Sequence, residues 1–271
     1  MFGFGAPPHS SRKYTDLIFA ASSKWAKWDP PKQIKGTTVR LIRGPASSKK
    51  KEIYENEPMA TLAANYPPQT ASKDEMFEIS SDAVKRVEFG IEPMASVPGI
   101  ADASVRGQWQ FSKKRGALLV MHKPRTAYTP PKVLLKTLVN IRELKDKYLV
   151  TETFTCPAYS LYLSSGDGEA VSLALLATVP LPVAPVSVGG SIESSWWNHN
   201  TSGLYRCGCD EEYTYTPLYV LKRIRRTGLL RRDSPVPEPK DDDLWEDATQ
   251  PWDPLDSDGE EEDFEDTVFD D

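Results

Sequence analysis

The chain has 271 residues and a formal net charge of −6, with 33 Lys and Arg against 39 Asp and Glu and 39% hydrophobic residues. That length suits one large domain or two small ones, and the composition is that of a protein soluble as made. The longest apolar stretch, Val171 to Pro185, is broken by Ser172, Thr178, Pro180 and Pro182 and falls short of the roughly 18–20 residues of a membrane helix; the start of the chain has neither a basic cluster nor a long apolar run, so no secretory signal is expected.

Residues 1–11 read as a flexible leader. From Arg12 to Trp28 the apolar residues Tyr14, Leu17, Ile18, Ala21, Trp25 and Trp28 recur at steps of three and four, which predicts an amphipathic helix. Lys13, Lys24 and Lys27 flank its stripe, and Asp29-Pro30-Pro31 stops it. Thr37–Arg43 alternates as a strand, Pro45–Ser72 reads mostly as loop, and Val87, Phe89 and Ile91 alternate at the end of a mixed stretch from Met76 to Glu92. Val105–Phe111 and Gly116–His122 are predicted strands. Pro130-Pro131 then opens a predicted helix with Val133, Leu134, Leu138, Ile141 and Leu144 on its apolar face. Tyr148–Cys156 and Tyr159–Leu163 read as β structure bent at Pro157, Ser164-Ser165-Gly166-Asp167-Gly168 as a turn, and Glu169–Val179 as a returning strand. Residues 180–203 are rich in Pro and Gly, and Leu204–Arg226 is a last aromatic and basic segment.

Charge is sharply partitioned. Residues 233–271 hold 18 Asp or Glu and a single cation, Lys240, so this tail carries about −17 and the preceding 232 residues about +11. Val220 to Arg232 contains six cations and no anion, and Asp233 follows at once. The tail is low in complexity, acidic and interrupted by proline, which predicts disorder. A cationic body beside an anionic tail points to an anionic partner that the tail masks, either nucleic acid or an acidic membrane surface.

No catalytic motif is present, so a non-enzymatic role is expected, with no cofactor and no metal. His9, His122 and His199 are scattered, and there is no Gly-x-Ser-x-Gly, P-loop or His-Glu-x-x-His. Cys156, Cys207 and Cys209 make neither a disulfide framework nor a zinc site. Asp241-Asp242-Asp243 and Glu260-Glu261-Glu262-Asp263 lack the alternating ligands and glycine of a calcium loop and read as solvated charge.

Three features could meet an anionic partner. The Arg12–Trp28 helix places tryptophan beside lysine, a combination suited to a lipid interface, although a surface helix packed on the body has the same pattern. The strands between Tyr148 and Val179 have the length and alternation of a membrane hairpin, and equally of a half-buried soluble one. Lys222–Arg232, with Tyr215 and Tyr219 upstream, suits nucleic acid, lipid headgroups or the acidic tail itself. Composition does not separate these.

Several strings add to that reading. Lys13-Tyr14-Thr15-Asp16-Leu17-Ile18-Phe19-Ala20-Ala21-Ser22 followed by Trp28-Asp29-Pro30-Pro31-Lys32, Trp109-Gln110-Phe111, Arg115 to His122, Leu149-Val150-Thr151-Glu152, Cys156 to Ser164, and Ser202-Gly203-Leu204-Tyr205 together resemble fungal gasdermin-like cell-death proteins over roughly residues 12–226. The resemblance implies an α+β fold, a twisted and mostly antiparallel sheet with an N-terminal amphipathic helix and packed helices. It implies binding to acidic phospholipid membranes, self-assembly into a pore, and execution of regulated cell death in heterokaryon incompatibility. A subtilisin-like protease that removes a C-terminal segment, or an allelic variant of the protein, is the implied trigger. The tail here is too short to be a folded repressor domain, so masking would be electrostatic and local, with Trp245, Trp252, Phe264 and Phe269 as candidate anchors.

The sequence therefore predicts an effector domain over residues 1–232 and a restraining tail over 233–271, cytoplasmic when inactive and at the plasma membrane when active. Lys13, Lys24, Lys27, Arg223, Arg225 and Arg226 are the expected lipid-attracting cations, with Trp25 and Trp28 at the interface. Activating cleavage is expected between Arg226 and Lys240, around Arg231, Arg232, Asp233 and Ser234. The alternative is a nucleic-acid-binding or scaffolding protein whose acidic tail competes for its basic surface; on the favoured reading no nucleic acid is bound.

Overall fold

The computed structural model describes residues 8–30, 40–42, 51–52, 69–72, 75–128, 138, 148–177, 194–200, 202–210, 212–225 and 244–249. Helix α1 runs from Pro8 to Ser22 and so stops short of the predicted Trp28. Its end has a local cause. The Ser22 hydroxyl donates to Ile18 O at 2.7 Å and accepts from the Lys24 N–H at 3.2 Å, while Ser23 turns to a left-handed φ of 55°. Trp25 leaves that turn in a strand. The predicted helix after Pro130 lies outside the described residues except for Leu138, which is buried.

In chain order the strands are β1 (Trp25–Ala26), β2 (Arg40–Ile42), β3 (Lys51–Glu52), β4 (Gln69–Ser72), β5 (Met76–Ser80), β6 (Val84–Val87), β7 (Val105–Phe111), β8 (Ala117–His122), β9 (Arg125–Tyr128), β10 (Tyr148–Cys156), β11 (Ala158–Leu163), β12 (Ala170–Ala177), β13 (Ser194–Asn200), β14 (Leu204–Cys209), β15 (Tyr215–Ile224) and β16 (Trp245–Asp247), with a short helix α2 (Ile91–Ser96) between β6 and β7. Every strand pair among the described residues is antiparallel. A mostly antiparallel sheet with few helices agrees with the α+β expectation. The segment between Tyr148 and Leu163 is bent at Pro157, as its sequence predicts.

Two four-stranded sheets, β14–β11–β8–β5 and β13–β12–β7–β6, are linked by the chain itself. Each passage from β5 to β6, β7 to β8, β11 to β12 and β13 to β14 crosses from one sheet to the other, so four long strands fold over a common corner. Trp109, Phe111, Leu118, Val120, Tyr162 and Leu173 fill the space between the sheets. On the far side of β8 and β11, Tyr14 and Ile18 of α1 pack on Leu119, Met121, Leu161 and Phe154. β8 and β11 are thus covered on both faces, which is why they read as near-continuous apolar runs, broken in β11 only by Ser160, rather than alternating ones. The third and largest sheet has the path β1–β15–β10–β2–β3, with β9 on β10, β4 on β9 and β16 on β15.

One buried carboxylate holds the corner. Glu169 Oε1 accepts from the Ser165 N–H (3.0 Å), Ser165 Oγ (2.8 Å), the Gly166 N–H (2.6 Å) and Ser202 Oγ (2.5 Å). The Tyr162 hydroxyl lies between Glu169 Oε2, at 2.8 Å, and the Ser202 carbonyl. The clamp therefore ties the β11–β12 corner to the β13–β14 corner. Gly203 makes room for it. Its φ of 85° suits glycine, and a Cβ there would collide with the Tyr162 hydroxyl and Glu169. Burial pushes the Glu169 carboxyl up, but hydrogen bonds from Ser202, Tyr162 and Ser165 outweigh it and leave the pKa lowered. A lowered folded pKa stabilises the fold above the unfolded carboxylate value and loses that contribution as pH falls through the folded value. Urea midpoints measured from pH 5 down to pH 2 should fall, and the fall should be shallower in Glu169→Gln. Identical slopes in the two proteins would contradict the clamp.

Candidate functional site: a docked acidic strand

β15 ends in Lys222-Arg223-Ile224, with the first two cations of the run that closes the body, and both of its edges are occupied. β10 pairs along one edge from Tyr148↔Arg223 to Cys156↔Tyr215, with irregularities at Val150/Glu152 and Phe154/Cys156. Two short strands share the other edge. β1 pairs Trp25 with Tyr219 and Ala26 with Leu218. β16, from the acidic tail, pairs Trp245, Glu246 and Asp247 with Ile224, Arg223 and Lys222. Backbone bonds extend this docking at each end, from Arg225 N to Leu244 O and from Ala248 N to Leu221 O, both 2.9 Å. Within the tail, the structure thus describes an ordered strand where the sequence predicts disorder.

Charge and packing both act here. Lys222 Nζ lies 2.8 Å from Asp247 Oδ1, and Arg223 Nε 2.5 Å from Glu246 Oε1, with Arg225 Nε 3.9 Å from Glu246 Oε2. The hydrogen bond to Glu246 holds the Arg223 guanidinium above its usual pKa. These pairs reach solvent, and such pairs contribute about 0–1 kcal/mol each. The larger part comes from burial. Trp245 is 8% exposed, and Ala248 is sealed against Trp25, Val150 and Leu221. The Trp25 indole N–H donates to Ala248 O at 3.2 Å. The tail strand thereby pins β1, and with it the exit of α1, to β15.

The sequence-predicted residues fall into two groups. Trp25 and Trp28 are 6% and 4% exposed, so neither is on the surface in this conformation, and Trp28 packs edge-on against Tyr14 at 5.1 Å. Lys13 is also buried, at 3%. Lys24 Nζ donates to Ser22 O at 3.3 Å and lies 5.8 Å from the Phe154 ring centroid; Lys27 Nζ lies 6.0 Å from that of Tyr219. Arg223 and Arg225 meet the tail. Arg226, Arg231, Arg232, Asp233 and Ser234 lie outside the described residues, as do Trp252, Phe264 and Phe269. The site therefore gathers Trp25, Lys27, Arg223 and Arg225 around β15, while Lys13 and Trp28 belong to the core below α1. Among the described residues the exposed large apolar side chains are Val87, Ile91 and Met94, around α2.

Chemistry is sparse elsewhere. His122 is half-buried, and burial, then Lys123, lowers its pKa. Burial raises the Cys156, Cys207 and Cys209 thiols above their ordinary value, which disfavours the nucleophilic thiolate. Among the described residues no group of three His, Cys, Asp or Glu is placed to hold a metal ion.

No protein-family model and no curated protein matches the chain.

Sequence reasoning named Trp245 as a candidate anchor but missed that it begins a paired strand, and it missed that Glu169 anchors the corner. Trp245 had a signal, an aromatic residue in an otherwise solvating acidic tail. For Glu169 the Ser165 and Gly166 donors lie in the turn that the sequence marks, but Ser202 is 33 residues away and leaves no local signal.

Proposed function

We propose that this protein binds acidic phospholipid membranes and assembles into pores that execute regulated cell death, and that the acidic tail restrains it until the tail is displaced or cut. The observation that carries this reading is the docking of Leu244–Thr249 across the cationic end of β15. The acidic segment covers the cations that would meet an anionic surface and pins Trp25, the aromatic side chain best suited to an interface. Lipid contact by Trp25 then requires the tail strand to leave. Among the described residues no helix is long and apolar enough to cross a membrane; on this reading crossing falls to strands, which must close into a multi-subunit barrel to satisfy their backbone groups. Release of the tail changes the net charge from −6 to about +11, and long-range attraction to an anionic surface depends on that sign.

Dye release from phosphatidylserine or cardiolipin vesicles tests the proposal, with the full chain compared with residues 1–232. The shorter protein should leak vesicles and the full chain should not. Absence of leakage from the shorter protein sinks the pore; equal leakage from both sinks the restraint. The same cationic edge favours a second reading, nucleic-acid binding under tail control. A gel shift that appears only without the tail, in a protein that leaks no vesicles, would establish that reading instead.

A further inference from the structure

Cys207, Gly208 and Cys209 close β14, which among the described residues is an edge of the sheet β14–β11–β8–β5. Residues two apart on a strand face the same way. The register sets Tyr205, Cys207 and Cys209 opposite Tyr162, Ser160 and Ala158 of β11. The two thiols therefore share the face that looks toward the second four-stranded sheet. Cys207 is exposed at that edge, and Cys209 is partly buried against the core between the sheets.

Gly208 is the residue that could bend this segment, and it is held in place. A Cβ at Gly208 would strike the rings of Tyr159 and Tyr215, which meet edge to face at 4.9 Å on the other side of the strand. Its carbonyl accepts the Trp196 indole N–H at 3.2 Å. The extended backbone keeps the Cβ atoms of Cys207 and Cys209 about 6.6 Å apart, whereas a disulfide needs about 3.5–4.5 Å. The pair therefore stays a dithiol. Its sulfurs can lean to within about 4–5 Å of one another, the span of two metal–sulfur bonds of about 2.3 Å laid end to end.

Two hydroxyls beside the thiols lack an acceptor. Ser160 is fully buried directly across from Cys207, and neither its Oγ nor the Tyr205 Oη makes a hydrogen bond. Cys207 and the Tyr205 hydroxyl are close enough to shift each other's pKa, and Cys207 acts on Cys209 likewise. A neutral thiol is a weak acceptor. A metal-bound thiolate is a charged one, and donors to it tune the ion. We propose that Cys207 and Cys209 bind one soft monovalent ion, Cu(I), in a linear two-sulfur site, with Tyr205 and Ser160 donating to the thiolates. On binding, each thiol gives its proton to solvent and no electron moves, so the Cu(I)–dithiolate unit carries one negative charge. Thiolate ligands select Cu(I) by their softness. Zinc takes four ligands, and among the described residues no third His, Cys, Asp or Glu joins these two. The site does not depend on the pore reading.

Anaerobic titration of the reduced full chain with Cu(I), in competition with a colorimetric chelator, tests the site. One Cu(I) per chain should be withdrawn from the chelator, and an alkylating reagent that labels Cys207 in the free protein should then fail to do so. Cys207→Ser and Cys209→Ser should each abolish the uptake, Cys156→Ala should leave it intact, and Tyr205→Phe should weaken it about tenfold. Cys207→Ser changes an exposed edge position, so its urea midpoint should stay at the parent value while its copper is lost. Uptake that survives either serine variant, that disappears in a folded Cys156→Ala protein, or that settles at one ion per two chains overturns the site. Oxidation of the native chain to a Cys207–Cys209 disulfide does so too, because the strand would then not be held straight. Equal affinity in Tyr205→Phe overturns the donor role of that hydroxyl.

Discussion

Replacing Trp245 with alanine should detach Leu244–Thr249 from the body while the rest of the fold remains intact. Truncating a buried tryptophan costs about 3–5 kcal/mol, and at the low end, for an edge strand, that is about a hundredfold in the opening equilibrium. The amides that β16 protects, those of Arg225 and Ala248 in particular, should exchange about a hundredfold faster. The Trp25 indole loses its acceptor when Ala248 leaves, so Trp25 fluorescence should shift toward that of a solvated ring. Breaking an ion pair should do less. Lys222→Glu removes a pair that half faces water, worth less than about 1 kcal/mol and reduced further by salt. If Lys222→Glu detaches the strand and Trp245→Ala does not, the tail is held by charge and the packing account is wrong.

That ordering matters for how the tail could be released. The sequence presents the tail as local electrostatic masking, −17 facing +11, with Trp245, Trp252, Phe264 and Phe269 as candidate anchors. The structure concentrates the contact in Leu244–Ala248, with Trp245 and Ala248 buried and a strand's backbone bonds. A screening change alone would loosen the pairs and leave Trp245 and Ala248 in place. Cutting the chain between β15 and β16 also leaves the strand docked, but converts its dissociation from a local opening into a true release. On this account cleavage acts by removing the tether, and the strand then leaves at a rate set by its own packing.

Much of the sheet was legible because each face of each strand left its mark in the sequence. Val105–Phe111 alternates buried and exposed, while the double-sided burial of β8 and β11 shows as apolar runs interrupted in β11 only by Ser160. The tryptophan spacing misled. Trp25 and Trp28 continue the helical period of Tyr14 and Ile18, yet Ser23 turns the chain and β15 captures Trp25 as a strand. Trp196 and Trp197 sit at the end of a stretch rich in Pro and Gly that predicts no strand, and pairing with β12 makes Ser194–Asn200 β13, with the Trp196 indole donating to Gly208 O. Register is not visible in composition at all. The pairing of β9 with β10, β8 with β11 and β7 with β12, and a carboxylate satisfied in part from Ser202, emerge only when distant segments are side by side.

Trp109→Ala should have the opposite character to Trp245→Ala: a global loss with no local one. Trp109 is completely buried between the two folded sheets and packs over Gly107, where any Cβ would strike its ring. It also lies 5.7 Å from the Arg86 guanidinium, which covers it from the solvent side. Truncation leaves a cavity that the surrounding strands cannot close, because β7 is fixed by pairing with both β6 and β12. The expected cost is about 3–5 kcal/mol against a total of about 5–15 for a domain. In urea the midpoint should fall with the slope unchanged, and exchange should quicken throughout β7, β8, β11 and β12 together. Gly107→Ala should go the same way, since the added methyl displaces the same ring. A Trp109→Ala protein that keeps its midpoint would mean that the two sheets are not held together by this core.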